Sequence, residues 1–224
     1  MDYTFQWREA FSHLPYMLEG TVITIHLSFL VFWSGCLIGL FGALGKTFGG
    51  PKVYRLVNWY VIFWTNTPGL VTAFIIFYGL PDFGIYFSAY ETALINGALH
   101  SGGYMTEIMR GGFQSVRRTE LEAAEALGFS LMQSLRYVIV PHIAKVLYAP
   151  LSNFYIIIIL GTAGASIYGV EELTARAFNR SSETFRSIEI YLIAATIYVV
   201  LTIVASALLA GLGRWVFRVK AKVF

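Results

Sequence analysis

A chain of 224 residues that is 57% hydrophobic and only 13% charged is poorly equipped to face water all round, because soluble domains carry about 25% charged residues. Its net charge of +3 is small and scattered, which excludes nucleic acid as a partner. The lone Cys36 excludes an internal disulfide, and the histidines at 13, 26, 100 and 142 stand too far apart to share a metal. The class is a membrane protein, read as one compact membrane domain over residues 1–224.

Crossing about 30 Å of hydrocarbon takes roughly 20 apolar residues in a helix. The opening residues are polar and aromatic, and the first apolar run is too long for a cleaved signal, so that run is expected to be the first span. Five spans are predicted, at about 17–44, 53–80, 85–109, 146–168 and 188–212. Helices are expected because lipid leaves no backbone polar group unpaired and no alternating barrel strands appear. Gly35 and Gly39 form a GxxxG pair with Ala43 beyond, and Gly161 with Ala165 repeats the spacing; both read as tight helix packing. Pro68 and Pro150 fall inside spans and are expected to kink them.

Basic residues set the orientation. Lys46, Lys52, Arg55, Arg110, Arg117, Arg118, Arg136, Lys145, Arg214, Arg218, Lys220 and Lys222 fall on one side, against Arg8, Arg176, Arg180 and Arg186 on the other. The positive-inside rule then puts the N-terminus outside and the C-terminus in the cytoplasm.

Between the third and fourth spans lies a cytoplasmic passage at about 117–141. Thr119 with Glu122 is the spacing of a capping box, and Gly128 suits a left-handed helix stop. Ser130 with Gln133 repeats the box and starts a second helix, which Pro141 is expected to end in a turn. Interfacial helices favour Lys and Arg on the polar face, whereas this one carries Glu120, Glu122 and Glu125. It therefore reads as a docking helix for a cytoplasmic partner.

The run Glu122-Ala123-Ala124, Gly128 and Val138-x-Val140-Pro141 resembles the EAA loop of ABC importer permeases. "NTPGLV", "FYGLP", "GGYMTEIMRGGFQSV", "GVEEL" and "TFRSIEIYLIAATIY" resemble, in order, the polar amino-acid permeases of histidine, glutamine and opine uptake. The resemblance covers nearly the whole chain. It implies a subunit in the bacterial inner membrane that imports polar amino acids or opines by alternating access. It implies no enzyme and no cofactor on this chain, with ATP and Mg on two separate ATP-binding subunits. A second permease subunit and a periplasmic or lipid-anchored binding protein complete the expected assembly. The binding protein would dock near 82–86 and 171–189. Arg117, Arg118, Glu122, Ala123, Ala124, Gly128 and Pro141 are the residues implied for coupling to the ATPase.

Polar groups inside spans are functional candidates. Asn66, Asn96, His100, Asn153 and Thr162 are the candidates along a solute path, while Glu107 and Arg110 read as a structural pair. Relatives often carry Arg-Gly-Thr-Pro where this chain reads Thr65-Asn66-Thr67-Pro68, and Lys-Asp-Thr-Ser where it reads Leu160-Gly161-Thr162-Ala163. Either the solute is weakly charged or the chain is half of a heterodimer, and the heterodimer is favoured. Two other classes compete. A membrane-embedded enzyme would need clustered catalytic groups, and a secondary transporter would show internal repeats; neither is visible.

Overall fold

The computed structural model describes residues 4–217, and those residues form helices without a strand. Arg218, Lys220 and Lys222, counted above, lie outside the described residues. A short α1 (Trp7–Ser12) precedes the long α2 (Leu14–Phe48) and α3 (Pro51–Asn66). α4 (Gly69–Phe74) runs on through a wide π turn and a 3-10 turn to Phe83. α5 (Ala89–Gln114), α6 (Arg118–Ala126) and α7 (Leu131–Ser134) follow. A second π turn, Leu135–Ile139, joins α7 to α8 (Val140–Gly161), which tightens into a 3-10 stretch to Tyr168. α9 (Leu173–Thr184) and α10 (Ser187–Phe217) end the bundle.

Among the described residues, three helices are long and apolar enough to cross a membrane: α2, the continuous rod Leu131–Tyr168, and α10. A fourth is added if α3 and the α4 segment count as one span, bent by 101° at Thr67-Pro68. Pro68 thus does more than kink the second span. α5 has the length, at 26 residues, but is less apolar because protein rather than lipid covers it. α2 and α5 approach closely: a Cβ on Gly39 would lie 2.9 Å from the Met105 carbonyl carbon, and one on Gly102 would lie 2.5 Å from Ile38 Cγ2. Small residues are what permit such contact in lipid.

Three apolar clusters tie the bundle. Leu27, Val31, Met105, Ile158 and Tyr168 fill the middle. Ala43, Met109, Ile143 and Leu147 close one end. At the other end Ala10, Met17, Leu173, Ala177 and Ile190 join α1, α2, α9 and α10.

Several local expectations need correcting. Thr119 is not a cap: α6 begins at Arg118, with Arg117 in the cap position and no side-chain cap bond. Glu122 instead accepts from Arg118 Nε at 2.9 Å, an i,i+4 pair that draws Arg118 into the helix. Pro141 makes no turn, because it stands in the first turn of α8. The preceding π turn accommodates the N–H that proline lacks. Gly161 is not a packing glycine, since a Cβ there would meet nothing within 4 Å. Residues 171–189 are not a loop but hold α9, whose Leu173, Ala177 and Ser181 are buried at helical spacing.

Candidate functional site

The break between α3 and α4 follows from Pro68, which disfavours helical backbone at the residue before it. Thr67 is accordingly extended, at φ −100° and ψ 134°. The chain restarts at Gly69, whose carbonyl is met by side chains of both α4 and α5. Asn96 Nδ2 donates to the Gly69 carbonyl at 3.0 Å, and the Thr72 hydroxyl oxygen lies 3.0 Å from the same carbonyl. Thr72 Oγ1 also lies 2.6 Å from Asn96 Oδ1 and 2.9 Å from His100 Nε2. Trp64 meets the His100 ring edge-on at 5.1 Å.

This polar knot stands on the wall of a cavity of about 640 Å³ among α2, α4, α5, α8 and the 3-10 stretch. Asn96, His100 and Thr162 line it, with Tyr104, Phe154 and Tyr168 as aromatic walls. Among the described residues lining it there is no Asp, Glu, Lys or Arg. Asn66 and Asn153 do not line it. Asn66 is exposed and turns back to the Ile62 carbonyl at 2.9 Å, and Asn153 is exposed on the outside of α8. Thr162 donates to the Ile159 carbonyl at 2.8 Å, so its proton is engaged by its own chain.

Glu107 and Arg110 pair at 2.6 Å. Lys46, its side chain only 5% exposed, reaches the same carboxylate at 2.6 Å and Asn58 at 2.8 Å. The Lys46 ammonium thereby joins α2 to both α3 and α5. The passage following α5 stands apart from the cavity. Arg117, Arg118, Glu122 and Ala123 are exposed there, while Ala124 is buried. Gly128 adopts φ +75°, and Phe129 N–H to the Ala124 carbonyl with Gly128 N–H to the Glu125 carbonyl closes a Schellman stop.

Sequence reasoning missed Thr72, Lys46 and Glu172. Glu172 is fully buried beneath α9, where it accepts from Tyr198 at 2.7 Å, Thr24 at 3.3 Å and the Ala175 N–H at 2.9 Å. Thr72 stands one turn after Pro68, the signal that could have found it. For Lys46 no local pattern pointed to a partner so distant in the chain.

A helical bundle with membrane-crossing rods, an uncharged internal cavity and a short polar helix set to one side is the form of a permease. Residues 35–218 match the model of the binding-protein-dependent transport system inner membrane component, and the chain belongs to that family. It is 33% identical to the probable amino-acid ABC transporter permease YckA of Bacillus subtilis, over 88% of this chain and 87% of that one. It is 32% identical to the glutamine transport system permease GlnP of Escherichia coli K12, over 94% and 97%. A crystal structure of an amino acid ABC transporter with histidines superposes with a TM-score of 0.88 at 33% identity, covering 96% of this chain and all of that one. The MetNI methionine transporter shares the fold, with a TM-score of 0.74 at 16% identity. The chain is a multi-pass inner-membrane permease subunit of an ABC importer, and ATP is bound and hydrolysed by a partner.

Proposed function

We propose that this permease admits polar amino acids of the kind named for its relatives, glutamine among them, or related compounds such as opines. The observation that carries the reading is the uncharged cavity, in which Asn96, His100 and Tyr104 offer polar groups but no ionised side chain among the described residues faces the space. A cationic side chain would be desolvated there without a partner, which is costly. Uptake by the full transporter reconstituted in liposomes tests this: labelled glutamine accumulates with ATP, and excess arginine competes weakly. Arginine that enters as well as glutamine sinks the reading.

The whole chain acts as one permease domain with five spans, α3 and α4 together making the second and α5 the third. Twelve basic residues against four favour an outside N-terminus and a cytoplasmic C-terminus. α6 is the coupling helix, presenting Glu122 and Ala123 with Arg117 and Arg118 to one of two ATP-binding subunits. Ala124 seats it, Gly128 sets its end, and Pro141 begins the rod behind it. A second, non-identical permease completes the pore and supplies the charges missing near Thr65 and Gly161. A periplasmic or lipid-anchored binding protein delivers solute near 82–86 and α9.

A further inference from the structure

The link between α6 and the bundle contains a proton arrangement that the transport reading does not account for. Glu120 of α6 has one carboxylate oxygen, Oε2, that is buried and without a hydrogen bond. The nitrogen facing it is Nδ1 of His142, in the first turn of α8, at 3.5 Å. The other ring nitrogen, Nε2, lies 3.1 Å from the hydroxyl of Ser115 at the end of α5. That hydroxyl has a single proton, and it donates to the Gly112 carbonyl at 2.7 Å. Nε2 must therefore be the donor to Ser115. In a neutral ring Nδ1 would then turn a lone pair toward a carboxylate. Only the imidazolium, with both nitrogens protonated, satisfies both neighbours.

We propose that His142 is a positioning residue for coupling, a charged joint that fixes α6 to the bundle by holding Glu120 on one side and Ser115 on the other. The proposal rests on α6 being the coupling helix. Among the described residues, Glu120–His142 is the one side-chain polar contact between α6 and the rest of the bundle, since the Arg118–Glu122 pair is internal to α6. Ser115 from α5 is neutral, and the charged residues flanking His142 on its rod are the basic Arg136 and Lys145. A push on α6 thus reaches α5 and α8 together. Without the ring's charge the joint loosens, and ATP is spent with less solute moved.

The test is solute moved per ATP hydrolysed, in the full transporter with its ATP-binding subunits in liposomes. In His142→Gln and in Glu120→Gln the ratio is at least about fivefold lower than in the parent, the low edge of coupling between sites. His142→Lys restores the charge and recovers the ratio; this variant decides the matter if glutamine at 142 prevents assembly. A full ratio in His142→Gln, or a His142→Lys as impaired as His142→Gln, overturns the joint. Glu125→Cys, exposed on α6, reports the underlying reading separately through crosslinking to the ATP-binding subunit. Crosslinking with an unaltered His142→Gln rejects the joint alone, and no crosslinking rejects the coupling helix and the joint with it.

Discussion

The Thr72 hydroxyl has one proton to give and three partners within 3.0 Å, on Gly69, Asn96 and His100. Its shortest contact, 2.6 Å to Asn96 Oδ1, needs that proton, because an amide oxygen only accepts. His100 Nε2 must then donate to Thr72, which fixes the ring's tautomer and holds it against the cavity wall. Thr72→Val keeps the shape and removes the hydroxyl, leaving the buried Asn96 oxygen without its donor. A loss of about 1–3 kcal/mol is expected, read by thermal unfolding in detergent, with Thr72→Ser near the parent. A valine variant as stable as the parent would show the contact to be idle. His100 and Asn96 were legible as polar groups at one helical face of an apolar run. Thr72 was not, because a threonine satisfied by its own helix is commonplace in spans and only the fold brings it to α5.

Helices reveal themselves unevenly. The apolar runs that became α2, α8 and α10 are read from length alone, since lipid asks little else of them. α9 is short and polar, and its buried stripe of Leu173, Ala177 and Ser181 was overlooked between two stronger signals. The Thr119-x-x-Glu122 pattern misled for another reason: two local arrangements compete for one glutamate, and the Arg118 pair won. Spacing also cannot say which glycines touch a neighbour. Gly39 and Gly161 look alike in sequence, yet a Cβ on Gly39 meets backbone of Met105 and Thr106 at 2.9 and 3.1 Å, while one on Gly161 meets nothing. Gly39→Val is expected to abolish the folded protein, because backbone cannot retreat as a side-chain tip can. Gly161→Ala should be recovered at the parent level or better, alanine in a helix gaining about 0.5–1 kcal/mol over glycine. Recovery of each from detergent by gel filtration checks the contrast, and equal yields would contradict the packing of α2 on α5.

For the whole molecule, orientation is the property on which every partner depends. Glu122 on α6 and Glu183 on α9 are almost equally exposed, at 58% and 59% of the side chain. Single cysteines at these positions, in a Cys36→Ala chain expressed without its ATP-binding subunits so that Glu122 stays uncovered, should therefore differ in labelling only by the side of the membrane they occupy. An impermeant maleimide on spheroplasts is expected to label Glu183→Cys at once and Glu122→Cys only after lysis; the reverse order would invert the topology. The buried carboxylate of Glu172 adds a temporal dimension to the same architecture. Its partners are Thr24, on the first long helix, and Tyr198, on the last. A ribosome delivers them in that order, so the seam between α2, α9 and α10 closes only once α10 has been made. Until then an acidic group waits half-satisfied beside exposed apolar surface, a condition that invites aggregation. A chain truncated before Tyr198 is therefore expected to be lost from cells faster than the parent, which a pulse-chase comparison checks; equal lifetimes would show the Glu172 seam to be idle.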